Sequence, residues 1–172
     1  MTKIVRVSVL AVLVGCGGSD GSGLPADGPI GGCSLTLSGG TSGTYPCTLR
    51  AAVWSSLNDV GQILVGRTAS AEAPAISATL SFVGEPLAGT YADDDPDLTM
   101  RMTVVSGDAS WTANAGGQAP KRGSFTMVVT SATATKASGD NQVYAVSGTL
   151  EATLSPVAGT SATGDLALEG RF

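Results

Sequence analysis

The feature that most limits the fold of this chain is a regular alternation of apolar and polar residues. In residues 146–154 every second residue is apolar or glycine, and the residues between them are Ser, Thr or Glu. Similar runs lie at residues 76–82, 98–104, 125–129 and 166–172. A period of two is typical of strands with one buried and one solvated face, which antiparallel sheets allow and parallel sheets generally do not.

Turn signals rich in glycine separate these runs, and nine or ten strands result when the runs are counted. The signals are Gly84-Glu85-Pro86, Ser106-Gly107-Asp108, Ala115-Gly116-Gly117, Ser138-Gly139-Asp140-Asn141 and Ala158-Gly159-Thr160. Residues 49–57 fit a strand or a short helix, and we predict a strand because Val53 and Trp54 favour β-structure. The sequence therefore predicts an all-β fold, an antiparallel β-sandwich or flattened barrel. Within it, we expect residues 146–154 and 166–172 to pair as antiparallel strands and to bury Leu150, Leu168 and Phe172.

The N-terminus has the ordered parts of an export signal. Lys3 and Arg6 precede an apolar segment at residues 7–14, and Leu13-Val14-Gly15-Cys16 follows as a lipobox. An apolar run of about eight residues is far shorter than the roughly 20 that span a bilayer. An ordinary secretory signal has a small-x-small cleavage site and needs no cysteine. Residues 1–16 therefore resemble the type II signal peptides of bacterial lipoproteins.

This resemblance implies cleavage before Cys16, diacylglycerol on its thiol and further acylation, for example by palmitate. The protein would then be anchored in the cell envelope by its N-terminal lipid. Gly17, which follows the lipidated cysteine, favours the outer membrane by the sorting rule of enteric lipoproteins. The membrane is thus a predicted partner, reached through the lipid.

Composition divides the chain into three parts. Residues 1–15 form the signal peptide, and residues 16–32, mostly Gly, Ser, Asp and Pro, form a flexible tether. Residues 33–172 form a single β domain. Loss of Lys3 and Arg6 lowers the nine Lys and Arg to seven against fourteen Asp and Glu, so the net charge changes from −5 to −7. Such an acidic chain is a poor ligand for nucleic acid, whose phosphates require Lys and Arg.

Cys33 and Cys47 remain after lipidation and predict a disulfide in an oxidising compartment. By alternation Cys33 shares a face with the leucines at 35 and 37, and Cys47 shares one with Leu49 and Ala51. Closing this short loop would stabilise the fold by about 3 kcal/mol in the chain-entropy model. Two free thiols or a metal pair stay open as alternatives. A zinc site of the usual Cys/His kind is excluded because the chain has no histidine.

The order of motifs from residue 76 onward carries a second resemblance. These motifs are Gly89-Thr90-Tyr91, Gly123-Ser124-Phe125-Thr126-Met127, Val146-Ser147-Gly148-Thr149-Leu150-Glu151-Ala152 and residues 164–172. They resemble C-terminal β domains of unknown function in small bacterial lipoproteins. Because those domains have no established activity, the resemblance implies fold and location only.

The residue types needed for common catalytic sites are missing from the sequence. The absence of histidine excludes Ser-His-Asp and Cys-His arrangements. A Gly-x-Ser-x-Gly match at residues 17–21 lies in the tether, without the strand-turn-helix context of a nucleophile elbow. We therefore predict that the protein is not an enzyme and uses no cofactor.

Two features are candidate binding sites. Asp93, Asp95 and Asp97 are alternate carboxylates that could bind Ca²⁺, which prefers several oxygen ligands. An EF-hand would need glycine and glutamate where Leu98 and Val104 stand, so a solvated turn without metal is the alternative. The second candidate is a tryptophan, Trp54, which lies on the outer face if its strand is straight and becomes buried if the strand twists. The other tryptophan, Trp111, is expected in the core.

These observations lead to one main hypothesis of function. The chain is a membrane-anchored envelope lipoprotein whose non-catalytic β domain binds an envelope partner or ligand, or serves a structural role. One alternative is a carrier of a small apolar ligand in a barrel-like cavity, which requires a hollow interior. Another is an uncharacterised enzyme or inhibitor that acts through loop residues.

Overall fold

A computed structural model describes residues 32–116 and 120–172, and the lipobox with Cys16 lies outside these residues. The described part is all-β, as the alternation predicts. It contains eleven strands instead of nine or ten, because two strands of only four residues, β2 and β6, add to the longer runs. The strands are β1 Ser34–Gly39, β2 Gly43–Pro46, β3 Leu49–Ser55, β4 Val60–Arg67, β5 Ala75–Val83, β6 Gly89–Ala92, β7 Thr99–Ser106, β8 Ala109–Ala115, β9 Ser124–Ser138, β10 Asn141–Pro156 and β11 Leu166–Arg171.

Strand β10 organises the sheet because it pairs antiparallel with four other strands. Along one edge its first residues pair with β3 and its later residues with β11. Along the other edge it pairs with β9, and Ser155 and Pro156 then pair with β8. The path from β10 through β3, β4, β5, β7 and β8 back to β10 therefore forms a closed ring of strands. Strands β11, β1 and β2 extend from one edge of β10, and β9 and β6 extend from the other.

The core consists of the apolar residues that alternation places on one face of each strand. Residues of β5, β7, β10 and β11 in the predicted inward positions are almost fully buried. Leu150, Leu168 and Phe172, which the sequence predicts to be buried by pairing of β10 with β11, are 0%, 0% and 3% exposed. Burial of such side chains contributes about 1.5–3 kcal/mol each. The alternation therefore identifies the residues that stabilise the fold. Among residues 32–116 and 120–172 there is no apolar helix of bilayer-spanning length.

Strand β9 contains two bulges, and the extra residue in each is a threonine. Thr130 and Thr135 have no partner in the β10 register, and the hydroxyl of each donates to a β10 carbonyl, that of Ser147 and that of Val143, at 3.1 Å. A bulge increases the local twist of its strand. Beyond the bulges the start of β10 pairs with β3 instead of β11.

Cys33 and Cys47 lie opposite each other at disulfide distance, with Cα atoms 5.4 Å apart. The hairpin of β1 and β2 brings them together, and the Cys47 amide donates to the Cys33 carbonyl. The predicted face of Cys47 is nevertheless wrong for Leu49 and Ala51. Cys47 lies between β2 and β3, so alternation does not continue through it, and in β3 it is Ala52 that is fully buried.

One end of the ring is filled around Trp111, which is 2% exposed, as expected for a core residue. Its indole N–H donates to the Gly164 carbonyl at 3.0 Å. Gly40, in the turn between β1 and β2, lies so close to the indole that a Cβ there would be 2.6 Å from Trp111 Cζ2. A buried indole with its N–H satisfied stabilises the packing of these loops.

Candidate functional site

The predicted aspartate candidates form a hydrogen-bonded turn between β6 and β7. The Asp95 carboxylate accepts a hydrogen bond from the Asp97 amide at 2.9 Å, and the Asp93 carboxylate pairs with Lys121 at 3.1 Å. In the described ranges no three His, Cys, Asp or Glu side chains come together as a metal site would require. Asp93, Asp95 and Asp97 therefore occupy local contacts of the turn and are not gathered around a common point.

Of the two positions that the sequence leaves open for Trp54, the structure shows the inward one, on the core side of β3. Trp54 and Ala52 are two residues apart in β3 and therefore share a face of the strand, and Ala52 is fully buried. Trp54 is only partly buried because β3 ends at Ser55, and its indole N–H donates to the Asp59 carboxylate at 3.0 Å. Its ring therefore supports the turn that follows β3.

Three connections meet at the end of the ring where Trp54 lies. They are the turn at residues 56–59 between β3 and β4, the loop at residues 84–88 between β5 and β6, and the tight turn between β9 and β10. The Ser56 amide donates to the Asp140 carbonyl, and the Gly84 amide donates to the Asp59 carbonyl, each at 2.9 Å. These backbone bonds join the three connections into one surface, which we call the loop end.

The loop end carries three of the most exposed large apolar side chains in the described residues. Leu57 is 79% exposed, Val83 is 71% exposed and Leu87 is 64% exposed. We call these three residues the apolar tip. Val83 pairs with Val60 across β5 and β4, which places it beside the turn that carries Leu57. Single exposed apolar residues are ordinary, but two on adjoining loops and a third at the strand end beside them mark a surface suited to contact with another molecule.

Side-chain hydrogen bonds fix the loop that carries Leu87. Glu85 accepts a short hydrogen bond of 2.6 Å from the Tyr144 hydroxyl, and the Tyr91 hydroxyl bonds to both the amide and the carbonyl of Leu87. Burial, then the Glu85 hydrogen bond and its negative charge, raises the pKa of Tyr144 to about 12. Tyr144 therefore remains a neutral donor to Glu85 throughout the physiological pH range.

A second surface, on the outer face of β10 and β11, is polar. Glu151 and Glu169 lie directly opposite each other in the register, and each lines two adjoining depressions of about 320 Å³. Both depressions are open to solvent and are lined mainly by Ser, Thr and charged residues. Small-molecule sites are usually enclosed and mostly apolar, so these depressions are less suited to an apolar ligand than the interior of a barrel would be.

The polar groups of the interior are satisfied by contacts within the domain, in the residues that the structure describes. Every buried side-chain nitrogen or oxygen there has a hydrogen-bond partner. The one buried charged residue among them, Arg67, bonds to the Thr68 carbonyl and places its guanidinium 5.2 Å from the centre of the Tyr45 ring. A buried arginine in this setting is satisfied by packing and a cation–π contact.

Sequence reasoning identified Trp54 but missed the apolar tip. The sequence predicts Leu57 at the end of a strand, whereas it lies in the turn after β3. The signal that could have revealed this is an apolar residue flanked by Ser56, Asn58 and Asp59.

Comparisons with protein-family models, curated proteins and solved structures gave no match. The site therefore has to be interpreted from the residues of this chain.

Proposed function

We propose that this protein is an envelope lipoprotein, held in the outer membrane by a lipid on Cys16, whose β domain binds a partner through the loop end. The lipobox at residues 13–16 supports the anchor. The observation that carries the binding function is the apolar tip, three exposed apolar side chains on or directly beside loops that are hydrogen-bonded to one another. The partner is an envelope protein that contacts this tip.

A non-catalytic role is the interpretation that the residue types support best. The chain has no histidine, and Cys33 and Cys47 lie at disulfide distance, so the usual nucleophile and base pairs cannot be assembled from them. The carrier alternative is less well supported because large apolar side chains are buried in the interior. Leu80, Met102 and Leu154 are fully buried in it.

Photo-crosslinking in cells tests this proposal. Benzoylphenylalanine in place of Leu57 is expected to give a discrete protein adduct in the lipidated, membrane-bound chain. The control is the same probe in place of Val105, which is 43% exposed and lies at the end of β7 that is remote from the loop end. Equal adducts at both positions, or none at Leu57, would contradict a binding role for the loop end.

A further inference from the structure

Three acidic residues lie on the connections of the loop end, which also carries the apolar tip. Asp59 follows Leu57 by two residues, Glu85 lies between Val83 and Leu87, and Asp140 bonds through its carbonyl to Ser56. All three carboxylates belong to exposed residues, and we call them the acidic rim. The nearest cation of the β9–β10 hairpin, Lys136, lies opposite Val143 in the strands below the turn.

An apolar centre with a polar rim is the usual arrangement of a protein interface. The sign of the rim selects the partner, because complementary charges speed encounter and like charges oppose it. A bilayer surface that contains anionic phospholipid would be repelled by the three carboxylates and by the net charge of −7 that the mature chain would carry. A protein surface with an apolar pocket and a basic margin fits both features.

The loop end is also ordered before any partner arrives. Trp54 holds the Asp59 side chain, Tyr144 holds the Glu85 side chain, and Tyr91 holds the backbone of Leu87. Ordering loops and side chains is one of the main costs of association. Because these contacts exist within the domain, the exposed leucines are presented on a fixed frame.

We infer that the partner is a protein whose contact surface is an apolar pocket bordered by lysine or arginine. This inference rests on the proposed function and adds the chemistry of the partner to it. Leu57 and Leu87 would enter the pocket, and Asp59, Glu85 and Asp140 would face the basic margin. Surface charge pairs of this kind are screened by salt.

The test uses the benzoylphenylalanine probe in place of Leu57 on the lipidated chain in isolated envelopes. Between 50 and 300 mM NaCl we expect the yield of the protein adduct to fall about threefold or more. Combining Glu85→Gln with Asp140→Asn is expected to lower the yield at low salt by about three- to tenfold, because two exposed charge pairs with the partner are lost. Glu85→Gln keeps an oxygen that can accept the Tyr144 hydroxyl, and Asp140 bonds to Ser56 through its backbone.

The matched control combines Glu72→Gln with Asp108→Asn, exposed acids on connections at the other end of the strands. It removes the same charges and is expected to leave the yield unchanged. A crosslinked partner peptide containing apolar residues with Lys or Arg supports the inference. If a protein adduct forms but its yield changes neither with salt nor with the charge of the acidic rim, the inference is overturned and the proposed function is still supported. Adducts to phospholipid, or no adduct, overturn both.

Discussion

Gly148 and Phe172 exchange both backbone hydrogen bonds, so that the end of β11 is joined to the middle of β10. The Gly148 amide donates to the Phe172 carbonyl at 2.7 Å, and the Phe172 amide donates back at 2.9 Å. A Cβ on residue 148 would lie 2.9 Å from Phe172 Cζ and would also overlap the Val128 carbonyl of β9. Glycine at 148 thus makes room for the phenyl ring between three strands.

Phe172→Ala should lower the free energy of unfolding by about 3 kcal/mol, because a 3% exposed phenyl group would leave a cavity against Gly148. Urea denaturation of the full chain measures the change. Arg171→Ala, at the exposed neighbouring position, serves as the control and should change stability by less than about 0.5 kcal/mol. Equal stability of Phe172→Ala and the parent would show that the ring is not packed.

Gly148→Ala should destabilise the domain by about 1–3 kcal/mol, since the added methyl group overlaps the Val128 carbonyl and approaches the ring of Phe172. Gly89→Ala is the matched control, because a Cβ at 89 meets nothing within 4 Å. The two variants differ only in what surrounds the new methyl group. A larger loss of stability for Gly89→Ala than for Gly148→Ala would contradict the packing described.

The double variant that combines Cys33→Ser with Cys47→Ser should have a free energy of unfolding about 3 kcal/mol lower than that of the parent. The physical reason is that the disulfide closes the β1–β2 loop in the unfolded chain and so reduces its conformational entropy. Non-reducing peptide mapping of the protein should recover the two cysteines in linked peptides. If dithiothreitol left the stability of the parent chain unchanged, the stabilising role of this bond would be disproved.

The sequence pattern was sufficient for the fold and only partly sufficient for the site. Alternation in residues 146–154 and 166–172 predicted β10, β11 and their pairing, because a one-sided sheet requires period-two burial. It failed at Cys47, where a break between strands changes which residues face inward, so that Ala52 is buried instead of Leu49 and Ala51. The loop end could not be predicted, since it depends on which connections meet once β10 has paired with β3.

Cys16→Ser should abolish membrane anchoring, because the thiol that would accept diacylglycerol is replaced. The intact mass of the membrane-bound parent should correspond to loss of residues 1–15 and addition of acyl chains. The variant should remain in the soluble fraction or as uncleaved precursor. Cys33→Ser, which removes a different thiol, controls for general effects on export. Full partition of Cys16→Ser with membranes as a processed protein would refute the predicted lipidation.

Tyr144 predicts a change of stability at alkaline pH. Its pKa is raised from 10.0 to about 12 in the folded protein, chiefly by burial and then by Glu85. A group whose pKa is raised by folding stabilises the fold fully below its unfolded pKa, and this contribution is lost as pH rises through the folded value. The stabilisation of the fold by the Tyr144 hydroxyl should therefore be complete at pH 8, and it should be lost between about pH 10 and 12.

Tyr144→Phe removes the hydroxyl that holds Glu85, and it should lower stability by about 1–3 kcal/mol at pH 8. Urea midpoints of the parent and the variant at pH 8, 10 and 11 measure the difference, in which other titrating groups cancel. The difference should shrink above pH 10. The absorbance difference between the two proteins at alkaline pH should titrate with a midpoint near 12, and Glu85→Gln should lower that midpoint because the negative charge is gone. A midpoint of 10 in the parent would mean that the Tyr144 hydroxyl is neither buried nor bonded to Glu85.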